Sequence, residues 1–120
     1  MKESEKYEYT IIENGHPCTI DGPGEAGLDS MLLADLEADI QSTVKKWIRE
    51  GLIPTNRFDR MHNSYALKHM LERQTGIYMT NNQFKDAMLE CGFLPSKLNE
   101  QNWCFKISKK SPAIIAPIKF

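Results

Sequence analysis

Three cysteines are too few and too scattered to staple this chain. Cys18, Cys91 and Cys104 are an odd count without paired spacing. That pattern excludes a disulfide framework and suits a reducing compartment. No apolar run approaches the roughly 20 residues of a membrane helix. The opening Met-Lys-Glu-Ser-Glu-Lys has no apolar stretch behind its charges, so no secretory signal is expected and the cytoplasm is the expected location. The chain lacks internal repeats and low-complexity tracts. It also lacks a phosphate-binding loop: Asp21-Gly-Pro-Gly24 carries no P-loop lysine. Metal-ligand spacing is missing too. His16 and Cys18 form one short pair, and His62 precedes the helix that would carry His69. Neither a cofactor nor a metal is expected, and the chain reads as a non-enzyme.

What is present suits one small domain. The chain has 120 residues, 41% hydrophobic and 26% charged. A chain of this size buries roughly two-thirds of its unfolded surface, enough for one core. The net charge is only −1, but it is unevenly spread. Residues 1–50 hold 5 basic and 11 acidic side chains, and residues 51–120 hold 10 and 5. Such asymmetry points either to a polyanion-binding end or to two halves that attract one another.

The periodicities divide the chain into residues 1–27, 28–110 and 111–120. In the first part, Tyr7, Tyr9 and Ile11 alternate before Asn14-Gly15, a β-hairpin signal. A glycine-rich loop follows through Gly27. Leu32, Leu36, Ile40, Val44, Trp47 and Ile48 then recur at helical spacing, which predicts a helix over 29–50 capped by Asp29 or Ser30. Residues 52–63 read as a connection. Asn63 or Ser64 caps a short helix through Gln74, ended by Gly76. Thr80 and Gln83 have capping-box spacing, and Met79 and Phe84 suit a hydrophobic staple. The helix they open ends at Gly92, with Phe84, Ala87, Met88 and Cys91 on its inner face. Trp103, Phe105 and Ile107 alternate as a half-buried strand, predicted to pair with Phe93-Leu94. The tail, with Pro112 and Pro117, should run extended, with Ile114, Ile115 and Ile118 laid over the core.

Helix, short helix, tight turn, helix and ribbon is the order of a winged helix-turn-helix. The expected fold is therefore α+β and mainly helical: three helices, a C-terminal two-strand wing and an N-terminal hairpin. The residues that carry the pattern are His62-Asn-Ser-Tyr-Ala-Leu-Lys-His69, Thr75-Gly-Ile-Tyr-Met-Thr-Asn-Asn-Gln-Phe-Lys-Asp-Ala-Met88, Gly92-Phe93 and Asn102-Trp-Cys-Phe-Lys-Ile107. Across roughly 57–108 the chain resembles small winged-helix proteins of bacterial phages and mobile genetic elements. The resemblance implies a helix-turn-helix scaffold and, through it, DNA binding.

In such a scaffold the helix from Thr80 to Cys91 is the recognition helix. With its apolar face inward, Asn82, Lys85, Asp86, Leu89 and Glu90 point outward. Asn82 and Gln83 are candidate readers of adenine edges, and Lys85 a candidate phosphate contact. Further cations come from Arg57, Arg60, Lys68 and Arg73, and from Lys97, Lys106, Lys109 and Lys110. Tyr78, in the turn, reads as a core residue or as a base-stacking platform, with the core favoured. Trp103 reads as core. Asp86 and Glu90 oppose a polyanion, and Leu89 reads as an exposed apolar spot. These features support an alternative: a protein-binding inhibitor of a host enzyme or defence complex, using an acidic surface. Homodimerisation through the long helix is compatible with both.

Overall fold

A computed structural model describes residues 32–97 and 100–116. The expected hairpin, the glycine-rich loop, the caps Asp29 and Ser30, and Ile118 lie outside the described residues. The described chain is an α+β domain, mainly helical. It holds four α-helices and one two-stranded antiparallel sheet.

The long helix expected over 29–50 is two pieces. A 3-10 turn spans Leu33–Asp35, and α1 spans Ala38–Gly51. The Asp35 carboxylate accepts from the Leu32 amide at 2.8 Å, which closes the turn on itself. Leu36 and Glu37 then adopt extended backbone, so the helical ladder is interrupted. The kink sends Leu33 into the core, fully buried, while Leu36 and Ile40 are only half-buried. At about 1.5 Å per residue, α1 is roughly 21 Å long, an ordinary length for a small domain.

The segment 52–63 is not a plain connection. Pro54–Asp59 forms β1, which pairs antiparallel with β2, Phe105–Ile107. The predicted partner of β2, Phe93-Leu94, is not its strand; among the described residues Pro95 bridges to Phe105 from that side, and the Ser96 amide donates to the Cys104 carbonyl at 2.9 Å. Periodicity could not reveal β1. Its first four residues are all exposed, so it has no apolar alternation.

The two middle helices follow their local signals. Helix α2, Ser64–Thr75, is capped by the Asn63 side chain, which accepts from the Ala66 amide at 3.0 Å. Gly76 ends it in the left-handed region at φ 81°, which favours glycine. Helix α3, Asn81–Glu90, opens with the expected capping box. The Gln83 amide donates to Thr80 Oγ1 at 3.1 Å, and the Thr80 amide donates to Gln83 Oε1 at 2.9 Å. Thr80→Ala removes half of this arrangement. It should cost about 0.5–2 kcal/mol, read as a lower urea midpoint with an unchanged slope.

The described part of the tail is not extended: Pro112–Ile115 forms a short helix, α4. Pro112 occupies the first turn, where its missing N–H costs nothing. Ala113 is buried, Ile114 packs partly on the core, and Ile115 is exposed. Trp47, Leu67, Leu71, Phe84, Met88, Trp103 and Phe105 form the centre of the core, all fully buried. Gln74 ties three helices together. It accepts from Trp47 Nε1 at 2.7 Å and donates to the Ala113 carbonyl at 3.0 Å. Ser64 and Trp103 bond reciprocally, which pins the start of α2 beside the strand β2.

Candidate functional site

The outer face of α3 is not a free surface. Every residue from Asn81 to Met88 is buried. Two distant segments cover its polar side. From the 3-10 turn, the Leu33 amide donates to Asp86 Oδ2 at 2.8 Å, and Gln83 Nε2 reaches the Leu32 carbonyl at 3.4 Å. From the stretch before β2, Gln101 O and Asn102 Oδ1 accept from Asn81 Nδ2. Lys85 donates to the Glu100 carbonyl at 3.2 Å, with its ammonium 4.9 Å from the Trp103 ring centroid.

This corrects the expected outward placement of Asn82, Lys85 and Asp86. Asn82 and Lys85 are fully buried, and Asp86 is 1% exposed. Gln83 is also buried, and its carboxamide oxygen serves the capping box. One side-chain amide cannot close the capping box and read a base edge together. Leu89 is half-buried against the core, not an exposed apolar spot. Glu90 is exposed and pairs with Lys45 at 2.9 Å. Trp103 lies in the core as expected, but Tyr78 does not: it is 66% exposed.

The remaining cations stand elsewhere. Arg57, Arg60, Arg73, Lys97, Lys106, Lys109 and Lys110 are exposed. Lys68 is largely buried, with its ammonium 5.3 Å from the Tyr65 ring centroid and 5.0 Å from that of Tyr78. Tyr65 is itself 53% exposed and stands edge-on to His69, with centroids 4.4 Å apart. One lysine thus links two exposed tyrosines, one on α2 and one in the turn to α3. Such contacts hold the rings in place while leaving part of each open to solvent.

A second aromatic–cation group lies on the ribbon. Pro54 faces Ile107 and Asp59 faces Phe105, so Lys106 alone spans the interval that Thr55–Phe58 spans on β1. β1 thus carries more residues than β2 over this interval, an irregularity of the kind a β-bulge makes. Bulges re-aim side chains and open space beside a sheet. Here the space is a cavity of about 370 Å³ between the bulge and the Gly92–Pro95 turn. Phe58 lines it, with the Arg60 guanidinium 5.3 Å and the Lys106 ammonium 5.2 Å from its ring centroid. The neighbouring carboxylate, Asp59, is buried. It pairs with His62 Nδ1 at 2.7 Å and accepts from the Met61 amide at 2.9 Å. Both Asp59 carboxylate oxygens are therefore engaged within the fold.

Phe58 and Tyr65 were not among the residues singled out from the sequence. The signal was present: Arg57-Phe-Asp-Arg60 interleaves cations with an aromatic ring.

Burial pushes the Cys91 thiol above its ordinary range, against the opposing pull of Arg49 and Lys45 and with help from Glu90. A thiol held protonated is a weak nucleophile at neutral pH. No group of three or more metal-ligating side chains converges among the described residues, and no helix among them is long and apolar enough to cross a membrane. No protein family, curated protein or solved structure matches this chain.

Proposed function

We propose that the domain is a winged helix-turn-helix module that binds DNA, of the kind found in small phage and mobile-element proteins. In this reading it acts in the cytoplasm as a regulator or replication accessory without catalytic chemistry of its own. The observation that carries it is topological. The order is α1–β1–α2–α3–β2, with β1 beside the last strand and Pro95 bridging that strand from the other side. Gly76–Thr80 joins α2 to α3, a connection close to that of helix-turn-helix units. In this reading the DNA contact shifts from α3 to the ribbon and α2, where Arg57, Arg60, Arg73, Lys106 and the Tyr65–Lys68–Tyr78 group stand.

Fluorescence anisotropy with labelled duplex and single-stranded DNA, over a salt series, tests the proposal. Affinity should fall steeply as salt rises, because each phosphate contact releases counterions. Replacing Arg57 and Arg60 together with glutamate should weaken binding at least tenfold and flatten the salt slope by about 1 per lost contact. Unchanged affinity and slope in that variant would remove the ribbon from the interface. The exposed apolar side chains of Met61 and Ile115 favour a second reading, in which the same scaffold binds a host protein, although Asp86 and Leu89 are covered in the fold. Co-purification of a stoichiometric partner, together with no DNA binding at low salt, is its expected result.

A further inference from the structure

The bulged ribbon offers a place for one flat, unpaired ring. We infer that the cavity beside Phe58 takes a nucleobase of single-stranded DNA, with the flanking phosphates on Arg57, Arg60 and Lys106. The inference rests on the nucleic-acid reading above and adds the strand form and the contact point.

Three observations support it. The first is size. About 370 Å³ falls near the bottom of the roughly 300–1,000 Å³ range of small-molecule sites. It is room for a nucleotide and far too little for a duplex. The second is the lining. Pro54, Phe58, Leu94 and Pro95 give apolar walls, and Lys106 stands at the edge. A base stacks on such walls whatever its identity, while its phosphates need cations outside. The third is charge. Arg57, Arg60 and Lys106 are exposed, and Asp59 is buried in its pair with His62. The rim thus complements a polyanion.

An extended acidic peptide fits less well. It would add to the sheet by pairing with the free edge of β1. Pro54 and the bulge interrupt that edge, as they do in strands protected against such pairing. A base needs no backbone ladder. Nor does a duplex suit the cavity, since its bases are stacked and paired away from any wall.

The test uses the full chain, a labelled 12-nucleotide oligothymidylate, and the same strand annealed to its complement. The single strand should bind more tightly than the duplex. Phe58→Ala should weaken the single strand about tenfold or more, in line with the loss of one base–aromatic contact. Lys106→Glu, at an exposed position, should weaken it severalfold with an unchanged circular dichroism spectrum. An oligothymidylate carrying 5-iodouracil should cross-link on irradiation to the peptide containing Phe58. If Phe58→Ala fails to fold, Lys106→Glu and the cross-link carry the test. Duplex binding equal to or tighter than single-strand binding, with both variants unaffected, would overturn the base site and leave the DNA-binding proposal standing. No DNA binding at low salt would overturn both, as would capture of an acidic peptide in place of DNA.

Discussion

Lys85→Glu should unfold the domain or nearly so, whereas Lys106→Glu should leave its stability almost unchanged. On a helical wheel of α3, Lys85 belongs to the polar side, where charge reversal is a surface change. In the fold it is fully buried, bonded to the Glu100 carbonyl and set against the Trp103 ring. A carboxylate there would face a carbonyl oxygen and the negative face of an indole. It would also lose the water that solvates it when unfolded. Breaking a buried charged arrangement costs about 3–5 kcal/mol. In a domain of this size that should lower the thermal midpoint by roughly 10–25 °C. Lys106 is exposed on β2, and surface substitutions usually fall within about 0.5 kcal/mol. Thermal unfolding of both variants, followed by circular dichroism, makes the comparison. Small and equal shifts would mean that α3 turns its polar side to solvent, returning Asn82 and Lys85 to the candidate DNA face. A large difference would mean that charge reversal at Lys85 reports on folding and cannot serve as a binding test.

Trp47→Ala should have an effect of similar size through a different cause. Trp47 is fully buried on α1, edge-on to Phe84 with ring centroids 6.5 Å apart. Deleting the indole leaves a large cavity in a close-packed centre, a change that costs about 3–5 kcal/mol. It also strips Gln74 Oε1 of its donor, in a residue whose amide nitrogen holds α4 through the Ala113 carbonyl. Trp47→Phe separates the two contributions. It keeps most of the apolar volume but leaves the Gln74 oxygen unsatisfied, at about 1–3 kcal/mol. Urea unfolding of both variants gives the difference. In a double-mutant cycle with Gln74→Leu, a coupling above about 0.5 kcal/mol would show that the hydrogen bond itself contributes. Additive losses would assign the whole effect to packing.

These two residues stand for different kinds of legibility. Trp47 lies on the apolar stripe with Val44 and Ile48, so its burial follows from spacing alone. Lys85 gives no such signal. A lysine on a helix is placed outward by default, because a buried charge is costly. Here the cost is offset by a carbonyl 15 residues away and by an aromatic ring, neither visible at helical range. Gln83 is an intermediate case. Its capping-box spacing was visible, and that role alone engages the carboxamide oxygen otherwise available to a base.

The ribbon shows the same division. Phe105 and Ile107 announced a strand by alternation, and β2 is there. Its partner β1 could not be found in this way. Pairing is a contact between segments nearly 50 residues apart, and the bulge leaves Thr55–Phe58 without alternating burial. The candidate base site depends on that bulge, so its position was invisible although its residue types were not.

By itself the sequence determined what acts within a few residues: the caps at Asn63 and Thr80, the left-handed stops at Gly76 and Gly92, and the apolar faces of α1 and α3. Hydrogen bonds within one turn and apolar repeats at three- and four-residue spacing carry that information along the chain. Tertiary structure decided which polar face is covered, where the 29–50 helix breaks, and which strand β2 pairs with. Those choices draw on partners beyond helical range, the Asp86 carboxylate for Leu33, the Gln101 and Glu100 carbonyls for Asn81 and Lys85, and β1 for β2, and local propensity does not register them.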